Sequence, residues 1–76
     1  MDVNKLIRMA NQIAANFDYG TDKERAIAGV LDHVTRFWTL DMKQAIVAYR
    51  QVGGDGLADV AAEAVNQLGE KYGAPA

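Results

Sequence analysis

The sequence predicts an all-α fold, a small bundle of three to four short helices, on three observations. Apolar residues recur at three- and four-residue spacings along most of the chain. No segment alternates apolar and polar residues with a period of two, as a half-buried strand would. The stretches between the periodic segments are short, so successive helices pack as neighbours. The 76 residues form a single helical domain over 1–76, ordered over about 3–68. A chain of this mass exposes about 4,600 Å² when folded and about 12,000 Å² when unfolded, so it buries only about 60% of its surface and gains much from a partner.

The first helix runs from about Val3 to Phe17. Asp2 is its N-cap, and Val3, Leu6, Ile7, Ala10, Ile13, Ala14 and Phe17 form its apolar stripe. Asp18-Tyr19-Gly20 ends it. Thr21-Asp22-Lys23-Glu24 reads as a capping box for the second helix, in which the Thr21 hydroxyl accepts from the Glu24 amide and Glu24 reaches back. The core stripe of that helix is Ile27, Val30, Leu31, Val34, Phe37 and Trp38. Thr39 then caps a third helix that extends to about Gln51 or Val52. Three glycines in Gly53-Gly54-Asp55-Gly56 enforce a turn. A fourth helix from about Leu57 to Leu68 carries Leu57, Val60, Ala61, Ala64, Val65 and Leu68 on one side. From Gly69 the tail frays, with Gly73 and Pro75 within it.

Some residues lie off these stripes. At 100° per residue, Met42, Ala45, Ile46 and Tyr49 share one face of the third helix, while Leu40 and Val47 point to nearly the opposite side. A helix apolar on two sides is either central in its bundle or covered by something else. In so short a chain, the sequence favours an external partner. Ala26, Gly29 and His33 form a second, small-residue stripe on the second helix, and Gly29 there costs about 1 kcal/mol relative to Ala, tolerable where another backbone packs closely. Lys5, Met9, Gln12 and Asn16 lie on the corresponding flank of the first helix. Met is an adaptable contact residue and Gln hydrogen-bonds in both directions, as an interface rim requires; Lys5 and Asn16 read as solvated.

Composition excludes several classes of function. The chain has no cysteine, which removes disulfides, zinc–thiolate sites, iron–sulfur ligation and thiol nucleophiles. No apolar run approaches the ~20 residues of a membrane span, and Asn4, Lys5, Arg8, Asn11 and Gln12 interrupt anything resembling a signal peptide, so the expected location is cytoplasmic. Eight basic against ten acidic residues give a net charge of −2, the wrong sign for a general nucleic-acid binder. The charge is uneven: residues 1–54 hold seven basic and six acidic side chains (+1), and residues 55–76 hold Asp55, Asp59, Glu63 and Glu70 against Lys71 (−3). His33 is the only histidine, and its neighbour Asp32 cannot face it on a helix. Without serine or cysteine the usual nucleophile–base pairs are missing, and no ligand spacing for a metal is present. Asp59 and Glu63 at i,i+4 read as a solvated acidic face near a helix N-terminus. The glycine run lacks the Lys-Ser/Thr ending of a phosphate loop, and Tyr19, Tyr49 and Tyr72 are too dispersed for a stacking platform.

The string Lys5-Leu6-Ile7-Arg8-Met9-Ala10-Asn11-Gln12-Ile13, then Ala28-Gly29-Val30 with Asp32-His33, then Arg36-Phe37-Trp38, and finally Gly53-Gly54-Asp55-Gly56-Leu57, resembles the delta subunit of cytoplasmic, NAD-dependent, molybdenum-containing formate dehydrogenases. The likeness extends from about Lys5 to Leu68, and the ordered combination is far more specific than any single piece. Two departures stand out. Thr39-Leu40 follows the Trp where the family has Asp-Pro, and Ala58-Asp59 follows Gly56-Leu57 where Asp-Pro is again expected. Thr39 still caps a helix; the second change displaces an acidic cap by one residue.

The resemblance implies a non-catalytic accessory subunit whose partner is the large catalytic (alpha) subunit. In such complexes formate is oxidised to carbon dioxide at a bis-molybdopterin guanine dinucleotide molybdenum centre, and electrons pass over iron–sulfur clusters to FMN and NAD. The resemblance places all these cofactors in other subunits and none on this chain. Catalytic, cofactor-binding and metal residues are accordingly expected to be none, with no nucleic acid or membrane as partner. The expected partner-binding residues are Met9, Gln12, His33, Trp38, Leu40 and Val47, with Trp38 either an interface hot spot or core. Three other readings compete: a free-standing homodimeric helical interaction domain, a helix-turn-helix DNA reader using Lys43 and Arg50, and a small enzyme built around His33.

Overall fold

The computed structural model describes residues 2–17 and 22–72. It holds four α-helices: α1 (Val3–Phe17), α2 (Lys23–Phe37), α3 (Leu40–Gln51) and α4 (Asp59–Tyr72). The all-α expectation holds, and no strand occurs among the described residues. The total accessible surface is 4857 Å², close to what the mass predicts.

Local chemistry sets the helix starts. The Asp2 carboxylate accepts from the Asn4 N–H at 2.9 Å, and the Asp2 carbonyl from Lys5 and Leu6. At α2 the cap differs from the expected capping box. Asp22 is the N-cap, its carboxylate accepting from the Arg25 N–H at 3.0 Å; a charged acceptor makes the stronger cap bond. Thr21 lies outside the described residues, as does the Asp18-Tyr19-Gly20 turn. At the end of α2, the extended Trp38 donates its N–H to the Val34 carbonyl at 3.0 Å. Thr39 caps α3 as expected, Oγ1 accepting from the Met42 N–H at 3.2 Å.

The core is continuous through the bundle. Leu6, Ala10 and Ala14 of α1, Val30 and Val34 of α2, Ile46 and Val47 of α3, and Ala61, Ala64, Val65 and Leu68 of α4 are all buried in it. Three expectations change here. Phe37, read as core, is 71% exposed, because α2 stops there and the chain swings Trp38 inward instead. Leu57 is half-buried in the turn before α4, its N–H bonded to the Gly54 carbonyl at 3.2 Å, so α4 begins two residues later than predicted. And α4 continues through Gly69 to Tyr72, beyond the expected end at Leu68; residues 73–76 are outside the described residues.

Gly69 accounts for the remaining surprise. A Cβ there would sit 3.3 Å from Val47 Cγ1, so the missing side chain lets the α4 backbone lie against Val47. On the second apolar side of α3, Val47 is therefore covered from within, whereas Leu40 stays exposed. Gly29 has a comparable role, although what covers it is an aromatic ring and not a backbone: an added Cβ would fall 2.6 Å from Phe17 Cδ1. The Ala26–Gly29 part of the small-residue stripe thus packs inside the molecule.

Candidate partner-binding surface

The two connections flanking α3 determine what the surface offers. The α2–α3 corner is only Trp38 and Thr39. Trp38 is 6% exposed and belongs to the core. On either side of it, Phe37 and Leu40 are held outward, 71% and 54% exposed. His33, one turn before Phe37, is half-buried and lies against its ring, with centroids 4.8 Å apart and planes tilted by 43°. Arg36 and Asp32 form an exposed i,i+4 ion pair at 3.0 Å beside these rings, a contact of little energetic weight. The corner thus offers an apolar pair with a charged margin.

The α3–α4 connection, residues 52–58, is built differently. Gly53, Gly54 and Gly56 all have positive φ, at 135°, 68° and 90°, a region that residues with a Cβ avoid. The loop is then tied down by side chains. Asn11 Nδ2 donates to the Gly56 carbonyl at 2.7 Å, and Asn11 Oδ1 accepts from the Ala58 N–H at 2.8 Å. The Tyr49 hydroxyl donates to the Asp55 carbonyl at 2.6 Å, and Arg50 Nη1 to the Gly53 carbonyl at 3.1 Å. The Asn11 clamp joins two segments 45 residues apart. Sequence reasoning gave Asn11 no role. The available signal was a two-way amide on α1 together with a glycine turn whose polar backbone groups need partners.

The structure brings together only part of the predicted surface. His33 lies against the exposed Phe37, which the sequence assigned to the core, and Leu40 is exposed three residues further along the chain. Trp38 and Val47 are 6% and 2% exposed, so neither can meet a partner while the fold is intact. Met9 is half-buried, packed on the core, and lines a cleft of about 320 Å³ with Asp2, Lys5, Leu6 and Met42. Gln12 is exposed on α1, as are Lys5 and Asn16. The cations of the DNA-reading alternative are engaged elsewhere: Lys43 is 8% exposed and Arg50 is bonded to its own loop.

Among the described residues, the side chain found against His33 is the Phe37 ring. The apolar void lined by Ala10, Val30, Trp38, Ile46 and Leu68, among others, measures about 10 Å³, about the size that admits one water. Among the described residues no three His, Asp or Glu side chains converge to hold a metal, and no helix is long and apolar enough to cross a membrane.

Residues 5–65 match the family described as NADH-dependent formate dehydrogenase delta subunit FdsD. The chain belongs to that delta-subunit family. No curated protein and no solved structure gives a significant match. The matched span contains both connections of α3, with the Asn11 clamp and the Phe37–Leu40 corner. Its family is that of a subunit of a formate dehydrogenase complex.

Proposed function

We propose that this chain is a non-catalytic accessory subunit of a cytoplasmic, NAD-dependent, molybdenum-containing formate dehydrogenase. It binds the large catalytic (alpha) subunit and supports that subunit's stability, assembly or cofactor insertion. The observation that carries this reading is the family match over residues 5–65. The molybdenum centre with its bis-molybdopterin guanine dinucleotide, the iron–sulfur clusters and FMN belong to other subunits on this reading, and this chain binds none of them.

The mechanism is mass action. A domain that binds the native large subunit and not its unfolded or half-assembled forms lowers the free energy of the native state by RT ln(1 + [L]/Kd), about 2.7 kcal/mol at a hundredfold excess over Kd. No group on the small subunit need touch substrate for this. A standard interface takes about 800 Å² from each partner, about a sixth of the 4857 Å² available.

The test is to express the large subunit with and without this chain and compare thermal midpoint, bound molybdenum and formate oxidation. Co-expression should raise the first two and leave the activity per bound molybdenum unchanged. A large subunit equally stable and equally loaded in both preparations would overturn the proposal.

A further inference from the structure

We propose that Asp55–Gly56 is a modification site, where the chain rearranges to an isoaspartate linkage, and that the hydrogen bonds on this turn set how fast it does so. Among the aspartates and asparagines of the 76 residues, Asp55 alone precedes a glycine. With no Cβ on the following residue, the backbone nitrogen that must attack is uncrowded. Asp55 is exposed, so water can enter and leave.

The rearrangement needs only water. Gly56 N bonds to Asp55 Cγ, and the carboxyl hydroxyl departs with the amide proton as water. A second water opens the five-membered succinimide. Opening at Cγ restores the aspartate. Opening at the main-chain carbonyl carbon leaves the chain running through Cβ and Cγ, one carbon longer, with a free α-carboxylate.

The native turn opposes that ring. The Leu57 N–H donates to the Gly54 carbonyl at 3.2 Å. Gly56 has φ 90°, and among the described residues no other type than glycine has positive φ. Together these define a type II turn with Asp55 at its second position, where ψ is about +120°. In an L residue Cβ stands about 120° from the nitrogen around the Cα–C bond, so the ring closes at ψ of about −120°. Asp55 must therefore turn by about 120°, swinging its carbonyl and the Gly56 N–H together. That rotation pulls against the Tyr49 hydroxyl, bonded to the Asp55 carbonyl at 2.6 Å, and against Asn11 Nδ2, bonded to the Gly56 carbonyl at 2.7 Å. The reaction proceeds from a locally opened loop, and its product replaces the carbonyl that Tyr49 holds with a carboxylate.

The test incubates the full chain in mildly acidic buffer below its thermal midpoint. Isoaspartate is read by electron-transfer fragmentation of the tryptic peptide 51–71, which also holds Asp59 as an internal control. It should accumulate at position 55 and not at 59, at least about tenfold more slowly in the folded chain than in the same chain in guanidinium. Asn11→Ala should speed it about fivefold and Tyr49→Phe somewhat less, as expected when one or two hydrogen bonds no longer hold the loop. Tyr49→Phe keeps the ring, and so tests the gate even where Asn11→Ala loses the fold. Thr39→Ala, which loosens the far end of α3, should leave the rate unchanged; an equal acceleration there would place the reaction in the globally unfolded chain and overturn the local gate. Equal rates in folded and unfolded chain, or no acceleration in either loop variant, overturn the gate as well. An unfolded chain that forms no isoaspartate at position 55 overturns the site itself.

Discussion

At the start of α3 the chain turns within Trp38 and Thr39 and leaves Phe37 and Leu40 in solvent; at the end of α3 it spends residues 52–58 on a loop held by Asn11, Tyr49 and Arg50. The corner is closed by burial of one indole and one hydroxyl cap. The loop is closed by hydrogen bonds from side chains and by three glycines at positive φ. The difference teaches where surface can be spared. Because Trp38 and Thr39 close the corner by themselves, its neighbours are free to face outward, whereas the Asn11, Tyr49 and Arg50 side chains are committed to holding the loop.

The largest effect should come from Trp38. Trp38→Ala removes a side chain 6% exposed from the point where α2, α3 and α4 meet, and substitutions of that kind cost about 3–5 kcal/mol. With roughly 4–8 °C per kcal/mol for a domain this small, the thermal midpoint should fall by at least about 12 °C. A fall of only a few degrees would mean that the corner does not depend on its indole.

Asn11→Ala attacks the opposite connection. It removes both bonds of the clamp, each worth about 0.5–1.5 kcal/mol, and water can reach the freed groups, so the cost should be about 1–3 kcal/mol. Hydrogen exchange of the Ala58 amide should accelerate more than that of amides in the middle of α2. Uniform acceleration across the bundle would show that the clamp supports the whole fold and not the loop alone.

Thr39→Ala comes next, at about 1 kcal/mol for a lost N-cap, read by urea unfolding with an unchanged m-value. A loss as large as that of Trp38→Ala would place the corner's stability in its cap and erase the contrast with the loop.

These positions also show what the sequence could reveal. The α1 stripe was legible except at its two ends: Leu6, Ile7, Ala10, Ile13 and Ala14 are buried where the spacing puts them, while Val3 and Phe17 are only half-buried. The Asp2 and Thr39 caps were legible too, since capping is settled within three residues. Phe37 and Trp38 could not be separated, because they are consecutive and lie about 20° and 80° from Val30 around α2; which one turns inward depends on where the helix stops. Val47 depended on Gly69 of α4, and Asn11 on a loop 45 residues away. What was missed was settled by contacts between distant segments, which periodicity does not encode. For the candidate surface, the sequence put His33 and Leu40 off the core stripes, and the structure leaves the first half-buried and the second exposed; it left Trp38 open between interface and core, and burial settles that residue as core, while Val47, expected on the surface, is buried and Phe37, expected in the core, is exposed.

The smallest expected change in stability belongs to Phe37→Ala, and it tests the comparison most directly, because the substitution is one residue from the largest. The ring is 71% exposed, so truncation forfeits little burial. Its contact with His33 is worth up to about 0.5–1.5 kcal/mol beyond area in buried settings and less in solvent, and alanine returns about 0.5 kcal/mol of helix propensity. The net change should lie within about 0.5 kcal/mol, against several for Trp38→Ala, when both are measured by urea unfolding under the same conditions. A loss above about 2 kcal/mol would mean that Phe37 is covered in solution, and the corner would cease to be the open end of the bundle. A near-zero change leaves the corner resting on Trp38 and its cap, with Phe37 contributing little to the fold while most of its ring faces water.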